Sequence, residues 1–200
     1  MTTLQEQKND MGLFYRATIK EILEIRNRII INIAIPTLEK KGFTKSPFST
    51  SWFGKDDLHG FTYYLCRLTS DSRLEDIEIQ IARDDNWIKI ILNIFKLQPN
   101  VVSLDKLDGV DGLQYKLPPN SITKMRLRSD DIKGPPILKF GYFLGHKLKS
   151  YHTKRGLSKS ANRLSKIIEN DLGNIDKFIK RWDELHQPLS TSWTGHEVKE

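Results

Sequence analysis

Phe14, Ile22, Ile25, Ile29 and Ile33 recur at three- and four-residue steps, with Thr18 in phase, which is the period of a helix with one buried face. The pattern predicts a long helix over 14–41. Pro36 falls inside it and should kink or split it, because its ring clashes with the carbonyl of Asn32. Ile29-Ile30-Ile31 is β-branched and would suit a buried strand, but the length of the flanking period favours helix. Gly42, after Lys40 and Lys41, marks the stop. The period then changes to two. Runs at 49–53, 60–68, 74–83 and 87–95 read as strands, clearest where Ile77, Ile79 and Ile81 alternate with Glu78 and Gln80. Turn-rich breaks of hairpin length separate them, so neighbours should be antiparallel, with the first helix on the greasy face and the polar face in solvent.

The remainder is less regular. Residues 97–121 hold three prolines and two glycines that break any period, with a fifth strand predicted at 122–128. A helix is favoured over 137–151, and a further one starts at Ser158 and ends near Gly173. Ile175, Phe178, Ile179, Trp182 and Leu185 define the last helical face, ending near His186. The expected fold class is α+β: a long N-terminal helix packed on a four- to five-stranded antiparallel sheet, with a helical C-terminal third. One domain is expected over 13–187, its sheet part at 43–128 and its helical part at 136–187. Residues 1–12 and 188–200 are expected as loose tails.

The helix ending Lys40-Lys41-Gly42-Phe43, followed by an aromatic meander, resembles certain small bacterial α+β domains of unknown function over roughly residues 20–96. That resemblance implies a fold and no activity. A helix followed by antiparallel strands bearing acids also resembles the restriction-endonuclease-like fold, whose Asp/Glu-x-Lys strand motif binds Mg²⁺. The nearest match is Glu75-Asp76 with Glu78-Ile79-Gln80, where Gln80 stands in place of the lysine.

Charge changes the picture more than composition does. The chain of 200 residues has a net charge of +7, but its distribution is uneven. Residues 1–131 carry nineteen bases against eighteen acids, and 169–200 carry four against seven. The segment 132–168 carries nine bases and no acid: Lys133, Lys139, Lys147, Lys149, Lys154, Arg155, Lys159, Arg163 and Lys166. Phe140, Tyr142, Phe143 and Tyr151 interleave with them. Such a segment fits a solvated helix face, a dock for an acidic protein, or a nucleic-acid contact with aromatic stacking. The expected partner-binding residues are Lys147, Lys149, Lys154, Arg155, Lys159, Arg163, Tyr142 and Tyr151. The expected function is a non-enzymatic module meeting an acidic partner. Nucleic-acid binding through the same segment is the alternative, and a Mg²⁺-dependent nuclease with a degenerate carboxylate site, testable at Glu78, is the second.

Other chemistry finds little support. Five histidines are scattered without ligand spacing, and are expected on the surface or in the tail. The single cysteine, Cys66, is expected as a small buried side chain in a strand. Gly141-x-x-x-Gly145 lacks the Gly-Lys-Ser/Thr ending of a phosphate loop. No cofactor, metal or catalytic set is expected. The N-terminus shows no signal peptide, and no apolar run approaches the roughly 20 residues that span a bilayer, so a cytoplasmic protein without membrane contact is expected.

Overall fold

The computed structural model describes residues 15–69, 72–112, 123–127 and 145–199. The expected first helix is present but shorter than 14–41: it runs as a rod without a break over 19–39, and 15–18 are not helical because Thr18 caps its start. It comprises α1 (Ile19–Ile29), a π-helical turn (Ile30–Ala34) and α2 (Ile35–Glu39). Thr18 caps its start by accepting from the Glu21 N–H. Pro36 does not split the rod. The turn before it widens to the π register, with the Ile35 N–H bonded to the Ile30 carbonyl, so the ring is accommodated without the i−4 clash. The stop lies at Gly42, at φ 82°, where the Phe43 N–H returns to the Leu38 carbonyl.

The meander consists of β1 (Thr44–Lys45), β2 (Phe53–Lys55), β3 (Phe61–Leu68), β4 (Arg73–Ile81) and β5 (Lys89–Gln98). β6 (Met125–Arg126) extends it beyond β5. The sheet has seven strands, more than the four or five expected, because β1 and β2 share one edge of β3 and a C-terminal strand joins β5. The strand expected at 49–53 forms later, at 53–55, after a turn through Ser49 and Thr50. Helices α3 (Lys154–Gly173) and α4 (Ile175–Leu185) follow. α3 begins four residues before Ser158, because the Thr153 hydroxyl accepts the Gly156 N–H and caps the turn there. The helix favoured over 137–151 does not extend through 145–151. There His146 and Leu148 bond back to the β4–β5 hairpin through Ile88 and Asn86. The rest of that prediction, and the leader at 1–12, lie outside the described residues.

The tail expected at 188–200 is instead structured. Leu189–Ser192 forms β7, parallel to β5 with Phe95 opposite Leu189, and Thr191 is fully buried. The sheet is therefore antiparallel except for this one pair.

Ile77, Ile79 and Ile81 meet Ile90, Leu92 and Ile94 on the face that α1, α2, α3 and α4 cover, and with Leu38, Leu164, Ile168 and Trp182 they form the main core. A second cluster, including Phe48, Cys66, Leu74, Phe95, Leu97 and Leu107, covers part of the other face. Arg26 is fully buried within α1. Its guanidinium bonds the carbonyls of Ala82 and Trp87 and pairs with Asp85 at 2.8 Å, fastening the helix to the β4–β5 hairpin. Burial pulls its pKa down, against the opposing pull of Asp85. No helix of the described residues is long and apolar enough to cross a membrane.

Candidate partner-binding face

α3 carries its apolar residues Leu157, Leu164 and Ile168 inward. At 100° per residue, Arg155, Lys159, Arg163 and Lys166 fall within an arc of about 80° on nearly the opposite side, spread over about 16 Å of helix. All four are exposed. None of them forms an ion pair with a described residue, although charges elsewhere are matched. Asp176 of α4 takes Arg67 and Lys41, Asp183 takes Arg73, and Glu184 takes Arg181. On the sheet, Glu75 takes Arg67 and Asp85 takes Arg26 and Lys89. Most acids of the sheet and α4 are thus engaged by other bases, and the acid of α3 nearest the stripe, Glu169, lies beyond its end and pairs with none of the four.

The arrangement opposes helix formation on two counts. Arg155, Lys159 and Arg163 are like charges at i, i+4, each pair destabilising by roughly 0.2–0.5 kcal/mol. The first turn holds Lys154 and Arg155 and no acid, the wrong sign for the positive end of the helix dipole. Natural sequences carry such local conflicts at functional or strained sites.

The structure does not gather every expected site residue there. Arg155, Lys159 and Arg163 share the stripe, together with Lys166. Lys154 turns toward α1, its ammonium 5.7 Å from the centre of the Tyr15 ring. Lys147 lies over the indole of Trp87 at 5.1 Å, with Arg126 at the same distance from that ring. Lys149 is exposed beside α3, its N–H donated to the Ser160 hydroxyl at 2.8 Å. Tyr151 is not a free contact surface: it is half-buried, packed on the main core with Tyr15 at 6.4 Å. Tyr142 lies outside the described residues.

Two other sequence expectations are corrected. His146 is no surface histidine. It is buried, with Nε2 2.8 Å from Asp171 Oδ2, and this pair ties the 145–150 strap to α3. Glu78 is not on a solvated face. It is 3% exposed; Tyr64 and Gln80 donate to Oε1, and Lys124 reaches Oε2 at 3.3 Å. Burial and the neighbouring Glu78 carboxylate push the Tyr64 phenol far up, so it remains a donor. Both Glu78 oxygens are therefore engaged by protein donors rather than turned to a metal. Among the described residues no group of three or more His, Cys, Asp or Glu could hold a metal ion. Cys66 is fully buried, and burial pushes its thiol up, away from reactivity.

No family model, curated protein or solved structure matches the chain.

Proposed function

We propose that this chain is a non-enzymatic binding module that docks an acidic protein against the solvent face of α3. The observation that carries the reading is the stripe Arg155, Lys159, Arg163 and Lys166: exposed, on one face, and without an ion-pair partner among the described residues. Such a face steers an acidic surface into contact and adds charge-assisted pairs once docked. A single-stranded nucleic acid would want aromatic platforms beside the bases, and the described aromatic of the segment, Tyr151, is packed inward. A Mg²⁺ nuclease would want Glu78 open to metal and water, whereas Lys124, Tyr64 and Gln80 hold it.

The test is co-purification from native-host extract with wild type and the Lys159→Glu/Arg163→Glu variant as baits. A stoichiometric acidic species retained by wild type and lost by the variant is the expected result. Equal recovery with both baits would remove α3 from the interaction.

A further inference from the structure

Between α1 and α3 runs a groove of about 420 Å³. Its floor is apolar, from Ile25, Ile29, Leu157 and Ala161, while Arg28 of α1 and Lys154 of α3 stand on its walls. The π turn supplies Asn32 and Ile33 to the lining, so the widened backbone around Pro36 shapes one wall. Among the described residues none fills it. Asn162 lines the groove and also borders the depression formed by Lys159, Arg163 and Lys166, so groove and basic stripe are one continuous surface.

We infer that the groove receives an amphipathic, acidic helix of the partner. This rests on the reading of α3 as the partner face and adds the partner's form. Apolar residues at i, i+3/i+4 and i+7 of such a helix would lie on the isoleucine and leucine floor. Its flanking carboxylates would meet Arg28 and Lys154 on the walls and the Arg155–Lys166 stripe beyond Asn162. Charge complementarity selects this occupant over a neutral or basic helix. The floor selects it over a nucleic acid, whose phosphates would use the cations but leave the partly exposed Ile25, Ile33 and Ala161 without an apolar guest. Glu21 is the acid that lines the groove, and its carboxylate is occupied by the Tyr15 hydroxyl, which limits its repulsion of an acidic guest.

The experiment titrates the full chain into three fluorescein-labelled probes at about 50 mM salt, where charge contacts are weakly screened. The first is a helical peptide of about 18 residues, about 27 Å long, with leucines on one face and glutamates elsewhere. The others are polyglutamate of the same length and a DNA duplex of about 20 base pairs, about 68 Å long. Expected is an affinity for the amphipathic peptide at least about tenfold above polyglutamate. Ala161→Trp, which fills the floor, should erase that difference and leave polyglutamate binding unchanged. Ser158→Trp, on the exposed wall, repeats the test without disturbing a packed residue. Equal affinity for both peptides in wild type, a duplex bound more tightly than either, or full retention of the tenfold difference in both Trp variants overturns the groove. So does a dimer in sedimentation that Ala161→Trp splits, which would place a second copy there. Absence of binding to any of the three probes would instead overturn the basic-face reading itself.

Discussion

Lys159→Glu should stabilise the protein while weakening its partner binding, and the size of the gain follows from α3 alone. Lys159 sits one turn from Arg155 and one turn from Arg163, so wild type holds two like-charge i, i+4 pairs on an exposed face. Each costs roughly 0.2–0.5 kcal/mol, and a glutamate turns each into an attraction of similar size. Inverting both gives a gain of about 1–2 kcal/mol at low ionic strength. Lys and Glu have nearly equal helix propensity, so no offset arises there. Position 159 lies beyond the first turn, so the dipole contributes little. For a chain of this length, 1 kcal/mol raises Tm by about 2–4 °C. At about 1 M salt the Debye length falls to about 3 Å and most of the gain should vanish. Lys180→Glu is the matched control. Lys180 lies one turn from both Asp176 and Glu184 on α4, so the same substitution there creates two repulsions and should lower Tm. Thermal melts of the three proteins at low and high salt decide the matter. A Lys159→Glu variant that melts at or below wild type at low salt would mean that α3's cations are already neutralised, and the inference of a partner would go with it.

Arg26→Met should cost about 3–5 kcal/mol in urea unfolding, since it leaves the carbonyls of Ala82 and Trp87 without their guanidinium donor and Asp85 with only Lys89 and the Trp87 N–H; a loss under about 1 kcal/mol would show that the hairpin does not depend on the guanidinium. Asp176 is held below its usual pKa, chiefly by its hydrogen bond from Arg67. A depressed carboxylate stabilises above its unfolded pKa, so the stability gap between wild type and Asp176→Asn at neutral pH should close as pH falls below about 4, and a gap independent of pH would argue against the pair. Cys66 should resist Ellman's reagent in the native state and react once the chain is unfolded in guanidinium; rapid native reaction would contradict its burial. Trp182→Phe removes the bond from Nε1 to the Thr123 carbonyl at 2.7 Å and should lower stability by about 1–3 kcal/mol, read by denaturant unfolding, where an unchanged midpoint would show the bond to be dispensable.

The elements built from local periodicity were legible. Ile22, Ile25, Ile29 and Ile33 announce the first helix, and Ile77, Ile79 and Ile81 announce β4, because each period is set by residues a few positions apart. What escaped depends on distant partners. Leu189-Ser190-Thr191-Ser192 has no alternation worth the name; it is a strand because β5 offers it a parallel edge nearly a hundred residues earlier. Glu78 was expected in solvent because it alternates with isoleucines, but Lys124, 46 residues on, and the cover over that face take it out of water. Arg26 did leave a signal: it falls in helical phase between Ile22 and Ile29, on the buried face, where an arginine needs fixed acceptors. The basic stripe was visible as a charge run. Its collapse onto three positions of the expected set, with Lys154 and Lys147 drawn to Tyr15 and Trp87, required the helix phase and the strap at 145–150.

Why α3 stays uncompensated is the point on which function turns. Acids are plentiful in this chain, and an exposed helix accepts a glutamate at i+4 from a base without disturbing its core. α1 uses that device at Lys20 with Glu24, α4 pairs Arg181 with Glu184 at i+3, and tertiary pairs match Arg67 with Glu75 and Asp176 and Arg73 with Asp183. Folding therefore does not forbid acids along 154–168; it would favour them. Solubility does not demand their absence either, since interspersed charges of both signs keep a surface soluble. A segregated stripe raises the free energy of the isolated protein and lowers that of a complex with an anionic surface. On the proposed reading, the free energy forgone in α3 is recovered on association, and the apolar groove beside Asn162 favours a protein helix as the anionic surface that recovers it.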